Sequence, residues 1–199
     1  MVSTVPKQKW TTETLRLPKS HGWKARPGHK ILVLGRGAVR LDYPAHWITV
    51  LPEAPDEISV KLHDRQPPDD NWRLEVSYLT LNPGIDFSGL PVSKLLRETV
   101  LKDDHRAPFW RSDVTEVKRP DGIEYAWAEI AFVDPNEQRV ACSRACLARG
   151  YGVQPLITLD YWESDAGTII PTWEEIMRTL QLGQYVSDPT RPAPRYRPA

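Results

Sequence analysis

Alternating apolar and polar positions predict that much of this chain is β-strand. In residues 72–81, Leu74, Val76 and Tyr78 fall on one side of the run, with polar residues between them. Successive side chains of a strand point to opposite faces, so this pattern indicates a strand with one buried face. Comparable runs predict further strands at residues 30–34, 38–43, 57–62, 113–118, 123–133, 138–149 and 153–162.

Glycine and proline mark the turns between these strands. Residues 35–37, 119–122 and 150–152 each contain glycine between two strand patterns, which predicts hairpin turns. The chain has 19 prolines, about twice the usual share, and many of them lie between apolar runs. This spacing indicates many short elements joined by ordered loops.

Two segments instead show the spacing of amphipathic helices. Residues 91–103 place apolar residues such as Val92 and Leu96 on one face and charged residues on the other. Residues 173–180 repeat apolar positions at helical spacing. Thr172 and the glutamate three residues later have the spacing of a capping box, which predicts that this helix begins at Thr172.

The order of these elements predicts an α+β fold. Several strands come first, a helix follows, then a set of hairpin strands, and a helix closes the domain. Strands that do not alternate with helices favour an antiparallel sheet over a parallel one. We therefore predict a central antiparallel sheet of about six strands, sandwiched by α-helices, over residues 30–183.

The composition is typical of a single globular domain. The chain has 199 residues, of which 40% are hydrophobic and 26% are charged. Its apolar runs are far shorter than the roughly 20 residues that a membrane-spanning helix needs. Its first ten residues lack the apolar core of a secretion signal. We therefore expect a cytoplasmic protein that does not insert into membranes.

The net charge is zero, but the charges are distributed unevenly. Residues 1–30 carry seven Lys or Arg against one acidic residue, residues 31–183 carry 16 against 24, and residues 184–199 carry three against one. We predict a basic N-terminal arm over residues 1–29 and a flexible Pro/Arg-rich tail over residues 184–199. The arm could bind nucleic acid or an acidic partner. Its charge is not dense, however, which favours an arm that folds back on the acidic body.

The sequence contains no recognisable catalytic or metal-binding motif. It lacks a phosphate-binding loop, a nucleophile elbow and the helix signature of zinc proteases. The five histidines lie apart, as is typical of solvated or capping histidines. Cys142 and Cys146 are too far apart on a strand to form a disulfide, which predicts two buried thiols. No catalytic residue, metal site or cofactor is predicted.

Acidic residues cluster at three places in the chain. The simplest interpretation is that these clusters belong to polar loops. The alternative is a hydrolase site, which needs two carboxylates that face each other across a cleft. The clusters are Asp64 with Asp69 and Asp70, Asp103 with Asp104, and Asp160 with Glu163 and Asp165.

One charged residue interrupts an apolar strand face. In residues 138–149, Arg144 shares its face with Cys142, Cys146 and other small apolar residues. A buried arginine needs a carboxylate or carbonyl partner, which favours a structural salt bridge. The alternative is a ligand-binding groove on the sheet. The candidate binding residues of the sheet faces are Arg144, Tyr125, Trp127 and Tyr161.

The eight tryptophans are expected to serve mainly the core. Trp47, Trp72, Trp127 and Trp173 each fall at an apolar position of a strand or helix pattern. Aromatic residues among basic ones can instead stack on single-stranded nucleic acid. The basic arm contains too few aromatic residues to favour that interpretation.

Three local patterns resemble the PsbP-like superfamily. Residues 41–47, Leu-Asp-Tyr-Pro-Ala-His-Trp, are similar to its opening pattern of an aromatic or apolar residue, Pro and Trp. The mid-chain helix is followed by antiparallel strands, the longer of which is entered by residues 122–125. The apolar strand at 155–159 leads to residues 173–180, which resemble the closing helix of the family. The superfamily includes the photosystem II extrinsic protein PsbP, the Ran-binding nuclear import factor, and bacterial DcrB-like proteins with type VI secretion effector chaperones.

This resemblance implies a binding or assembly role, because the characterised members mostly bind other proteins. The leading hypothesis is a non-enzymatic cytoplasmic protein-binding module, of which an effector-chaperone-like homodimer is one form. The first alternative is an enzyme of unknown class that uses carboxylates in a cleft. The second is nucleic-acid binding through the basic arm, which the acidic body disfavours.

Overall fold

The computed structural model describes residues 23–50, 59–87, 89–102 and 105–185. Within these residues the chain forms two antiparallel sheets and two α-helices. The strands are β1 (His29–Leu34), β2 (Val39–Pro44), β3 (Ile48–Val50), β4 (Ser59–His63), β5 (Trp72–Thr80), β6 (Trp110–Arg111), β7 (Thr115–Lys118), β8 (Glu124–Val133), β9 (Val140–Arg149), β10 (Val153–Trp162) and β11 (Gln181–Leu182). The helices are α1 (Val92–Leu95), which continues as a π-helical segment (Leu96–Leu101), and α2 (Ala166–Thr179).

The larger sheet has eight strands, two more than the sequence predicted. They lie in the order β3-β4-β5-β10-β9-β8-β6, and β7 also pairs with β8. The two strands that the sequence missed are β3 and β6, which have three and two residues. Segments this short have too few positions to show alternation. The predicted strands at 30–34 and 38–43 form a hairpin that pairs with β11 in a separate three-stranded sheet.

One face of the larger sheet is closed over by other elements, and we call it the covered face. It carries Leu62, Leu74, Val76, Ile157 and Leu159, each of which is at most 1% exposed. The three-stranded sheet and α2 pack on this face and bury most of the apolar surface of the protein, which is the main driving force for folding. Their contributions to this core include Leu41, Trp47, Ile169, Trp173 and Ile176.

The opposite, outer face is covered only in part. Val92 and Leu96 pack on Ala126 and Ala145, so α1 and the π-helical segment cover β8 and β9. Over β5 and β10 the outer-face side chains are half-buried or exposed, as for Arg73. The predicted helical sandwich is therefore only partly correct. A second sheet and one helix cover one face, and a short helix covers two strands of the other.

The C-terminal helix begins earlier than its capping pattern predicted. It starts at Ala166, after a 3-10 turn at Glu163–Asp165, and Pro171 lies inside it. Thr172 does not cap the helix, because its hydroxyl donates a hydrogen bond to the carbonyl of Thr168 at 3.1 Å. The burial of Ile169, which is 1% exposed, stabilises the extra turn at the start of the helix. The mid-chain helix lies within its predicted range, and none of the described helices has the length and apolar character needed to cross a bilayer.

The described part of the basic arm folds back on the domain, as the sequence favoured. Trp23 is 8% exposed, and the Arg40 guanidinium lies 5.5 Å from the centre of its ring. Arg26 and His29 approach the Glu175 carboxylate at 3.6 and 3.5 Å. Residues 1–22 and most of the predicted tail, 186–199, lie outside the described residues.

Candidate functional site

The four side chains predicted as binding candidates all lie on the covered face. The pairing register places Glu129 of β8 directly opposite Arg144 of β9. The Arg144 guanidinium binds the Glu129 carboxylate at 2.7 Å, which confirms the predicted salt bridge. The Tyr161 hydroxyl donates to the same carboxylate oxygen at 2.8 Å. These contacts satisfy the buried charges within the protein itself.

Two tryptophan rings complete this group, which we call the Arg144 cluster. The guanidinium lies 4.3 Å from the ring centre of Trp127 and 5.7 Å from that of Trp173 on α2. Arg144 is 6% exposed and Tyr161 is 4% exposed, whereas Trp127 is half-buried. Burial, and then the neighbouring Glu129, raises the pKa of Tyr161 well above its ordinary value. A partner could reach Arg144 only if α2 moved away, so a binding role for the cluster stays a prediction.

The remaining predicted binding residue, Tyr125, lies near the end of the same face. It is half-buried and packs against the main core. Burial, followed by the neighbouring Cys146, raises the pKa of its hydroxyl. Tyr125 also lines the margin of a cleft at the end of the sheet.

The two cysteines are buried free thiols, as predicted. Cys146 is fully buried in the main core, and burial raises its pKa strongly. Burial is also the main reason that the pKa of Cys142 is raised. Thiols held in the neutral form are poor nucleophiles, so these residues act as small apolar side chains.

The two acidic clusters within the described residues serve local structure, whereas the third, Asp103 with Asp104, lies outside the described residues. Asp160 on the outer face accepts hydrogen bonds from Ser143 at 2.5 Å and from Arg73 at 2.5 Å. Asp64 accepts the backbone N–H groups of Asn71, at the end of the loop that precedes β5, and of Trp72, the first residue of β5, which confirms the polar-loop interpretation there. His63 was expected to be a solvated or capping histidine; it is 5% exposed, and its Nδ1 pairs with Asp70 at 2.8 Å.

A concave surface among the described residues lies at one end of the outer face. Two adjoining clefts of about 430 and 540 Å³ form between residues 81–87 and 90–93, the β7–β8 turn and the β9–β10 turn. We call them together the end groove. The side chains that line both clefts are Phe87, Lys118, Glu124 and Arg149.

Arg149 at the end of β9 gives the end groove its shape. Its guanidinium donates to the carbonyls of Phe87 and Leu90 at 3.2 and 2.9 Å. It also binds the side-chain oxygen of Gln154 at 3.0 Å and lies 5.4 Å from the centre of the Phe87 ring. A planar guanidinium with several donors is suited to such multiple contacts. Arg149 therefore fixes Phe87 and Leu90 at the end of the sheet.

Three large apolar side chains that line this groove remain in solvent. Their exposed fractions are 54% for Ile85, 38% for Leu90 and 63% for Tyr151. The Tyr151 side chain rests on Gly183, where an added Cβ would lie 2.5 Å from the Cβ of Tyr151. Glycine at that position therefore allows the ring to lie beside the groove. Clustered exposed apolar residues with a charged rim are typical of a contact surface.

Reasoning from the sequence did not find the end groove. Its lining combines residues 81–87 and 90–93 with strand ends far along the chain, and no local pattern predicts that meeting. The available signals were an aromatic and an aliphatic residue, Phe87 and Ile85, in a segment rich in turn residues. The placement of Tyr151 in a hairpin turn was another.

The comparisons with known proteins agree with this fold. The family model of Alr1449 matches residues 30–186. The chain belongs to the Alr1449 family. It is 39% identical over 182 residues to the uncharacterized protein alr1449 of Nostoc sp. strain PCC 7120, with 91% of each chain covered.

Two solved structures resemble the chain at the level of the fold. Cyanobacterial PsbP (CyanoP) of Synechocystis sp. PCC 6803 aligns with a TM-score of 0.57 and 14% identity, over 82% of this chain and 98% of that one. A protein of Bacteroides thetaiotaomicron VPI-5482 aligns with a TM-score of 0.56 and 13% identity over 78% of this chain, which spans 49% of that protein. The chain therefore has a PsbP-like fold, as its sequence motifs indicated, and at these identities the likeness shows the fold alone.

Proposed function

We propose that this chain is a non-enzymatic protein-binding or assembly module and that its partner docks in the end groove. The observation that carries the proposal is the group of exposed apolar side chains that line the groove: Ile85, Leu90 and Tyr151. Full burial of a wholly exposed side chain of this size gains about 1.5–3 kcal/mol, and these side chains, which are already partly buried, gain roughly half of that. Together they supply a strong reason for association.

The rim of the groove adds specificity to this apolar surface. Glu116 and Lys118 on β7 and Glu124 on β8 line the first cleft beside the aromatic ring of Phe87. Charged groups around an apolar centre favour one partner orientation and raise the rate of association. A protein segment with apolar side chains and a mixed charge pattern fits this arrangement.

The groove is also held ready for a partner. Arg149 fixes the backbone of Phe87 and Leu90, so these two residues need not be ordered at the moment of binding. A surface arranged in advance loses less conformational entropy on association. The resemblance to the PsbP-like superfamily, whose characterised members mostly bind proteins, supports the same class of function, and an effector-chaperone-like role is one form of it.

The proposal is tested by cross-linking from one chosen position. A photoreactive amino acid replaces Ile85 in the groove, and in a matched protein it replaces Val133, which is 51% exposed at the opposite end of β8. Both proteins are illuminated in extract of the native cells. We expect one protein in stoichiometric yield from position 85 and none from position 133. The same products from both positions, or none from position 85, would contradict the proposal.

A further inference from the structure

The outer edge of β7 is a second surface that could accept a partner. Thr115–Lys118 pairs with β8 on one side, and its other side has no neighbouring strand among the described residues. Thr115, Glu116 and Lys118 are exposed, and neither Glu116 nor Lys118 forms an ion pair with any described residue. An unpaired strand edge presents a row of free backbone donors and acceptors to another strand.

The hydrogen-bond pattern shows which backbone groups point outward. The Arg119 N–H donates to the Ile123 carbonyl at 2.8 Å, so these two residues, which lie opposite each other, form a hydrogen-bonded pair. In an antiparallel ladder the bonded residues alternate, and Val117, opposite Tyr125, is therefore the next residue that points towards β8. The backbone groups of Glu116 and Lys118 point away from β8, into the free edge.

We propose that this edge pairs with the same edge of a second copy of the chain, antiparallel about a twofold axis at Val117. In that register Glu116 of each copy lies opposite Lys118 of the other, and the two valines face each other. The outward groups of both copies then form hydrogen-bonded pairs with no group left over. An isologous contact of this kind closes as a dimer and does not extend further.

The charges of the strand select this register over its neighbours. A shift of the twofold axis to residue 116 would place Glu116 of one copy opposite Glu116 of the other. A shift to residue 118 would likewise place the two Lys118 residues opposite each other. Like charges directly opposite each other destabilise a strand pair, whereas opposite charges stabilise it. Intermediate registers would place a charged residue opposite Val117 and reverse the faces of the two strands. The alternation of Glu, Val and Lys therefore specifies pairing with itself.

The proposed contact is small, and we expect a weak, reversible dimer. Four residues of each copy take part, which is at the lower end of known interfaces. Both end grooves would open on the same face of one continuous sheet, because residues opposite each other in a ladder lie on the same side. Glu116 and Lys118 also line the first cleft of the end groove, but the dimer needs no partner protein and is measured without one.

Sedimentation velocity over a range of protein concentrations tests the dimer. We expect the wild-type chain to pass from monomer to dimer as its concentration rises. Glu116→Lys and Lys118→Glu each bring like charges together, so we expect each to weaken self-association at least about tenfold. Glu137→Lys, an equal charge change at an exposed turn, is the control and should dimerise like the wild type.

The decisive experiment mixes the two variants whose self-association is weakened. In a mixed dimer each lysine of one variant faces a glutamate of the other, so an equimolar mixture should associate at least as strongly as the wild type. Glu116→Pro removes an outward N–H, leaves the bonds to β8, and should give a folded monomer with an unchanged circular dichroism spectrum. A wild-type chain that stays monomeric, single variants that dimerise normally, or a mixture that stays monomeric would each overturn the proposal.

Discussion

Arg144 and Arg149 lie five residues apart on the same strand, and their surroundings differ completely. Arg144 is enclosed on the covered face by the Glu129 carboxylate and the rings of Trp127 and Trp173. Arg149 lies at the end of the outer face and binds the backbone carbonyls of Phe87 and Leu90. Both guanidinium groups are fully engaged, but the first joins parts of the core and the second shapes an open groove.

The difference shows how a charged residue in a strand should be interpreted. A charge in the middle of an apolar face must find its partner within the core, because an unpaired buried charge costs several kcal/mol. Arg144 satisfies this requirement with Glu129 and therefore offers little to a ligand. An arginine at a strand end can instead bind loop carbonyls and fix a surface. Substitutions on the covered face should therefore affect stability more than substitutions at the end groove.

The largest expected effect is on the covered face at Trp173. Trp173→Ala removes a ring that is 3% exposed and leaves a cavity between α2 and the sheet, so we expect a loss of about 3–5 kcal/mol in the free energy of unfolding. Urea denaturation followed by circular dichroism measures it. Tyr151→Ala at the groove, where the ring is 63% exposed, is the control and should lose less than about 1 kcal/mol. Equal losses in the two variants would contradict the contrast.

Removal of the partner of Arg144 should have the next largest effect. Glu129→Ala leaves the guanidinium buried without its carboxylate, and we expect a loss of about 3 kcal/mol in unfolding free energy. The matched variant at the groove is Glu124→Ala, whose carboxylate lies 3.6 Å from Arg149 and is one-third exposed. There we expect a loss of at most about 1 kcal/mol, because the loop carbonyls still satisfy Arg149. A larger loss at Glu124 than at Glu129 would reverse the assignment of the two arginines.

The sequence predicted the strands that carry this contrast, but not the contrast itself. Alternation and turn signals together located all six longer strands of the larger sheet, and the lone charge among apolar neighbours predicted the salt bridge of Arg144. The partner, Glu129, depends on the register of β8 against β9, which alternation does not specify. β3 and β6 were too short to leave a pattern.

The end groove escaped prediction for a different physical reason. Arg149 contacts the carbonyl of Phe87 across 62 positions of the chain, and only the folded sheet brings them together. The predicted start of α2 was wrong because the burial of Ile169 outweighed the local capping signal at Thr172. Local patterns thus located elements, whereas contacts between distant segments determined which surface stayed open.

A smaller effect is expected in alkaline solution. Burial raises the pKa of Cys146, so the folded state holds this proton after the unfolded state has released it. Stability from this thiol is fully present below the unfolded pKa of about 8.5 and is lost above it, at about 1.4 kcal/mol per pH unit. Denaturation at pH 8.0, 9.0 and 9.5 (values chosen within roughly one unit of that pKa) should show the decline. Cys146→Ala should show a shallower decline, and an identical slope would contradict burial of the thiol.

The smallest effect on stability is expected at Ile85, where the largest effect on binding is expected. Ile85→Ser changes a side chain that is 54% exposed, so unfolding free energy should change by less than about 0.5 kcal/mol. Val133→Ser, at a side chain that is 51% exposed at the far end of β8, is the matched control. A large loss of stability at position 85 would show that the groove residues serve the core.

The most direct test of the central claim is the affinity of these two variants for the partner obtained by cross-linking. Isothermal titration of purified partner into wild-type protein, Ile85→Ser and Val133→Ser gives the three dissociation constants. We expect Ile85→Ser to bind about tenfold more weakly, which corresponds to about 1.4 kcal/mol, and Val133→Ser to bind like the wild type. Equal affinity for all three proteins would show that the end groove is not the binding surface.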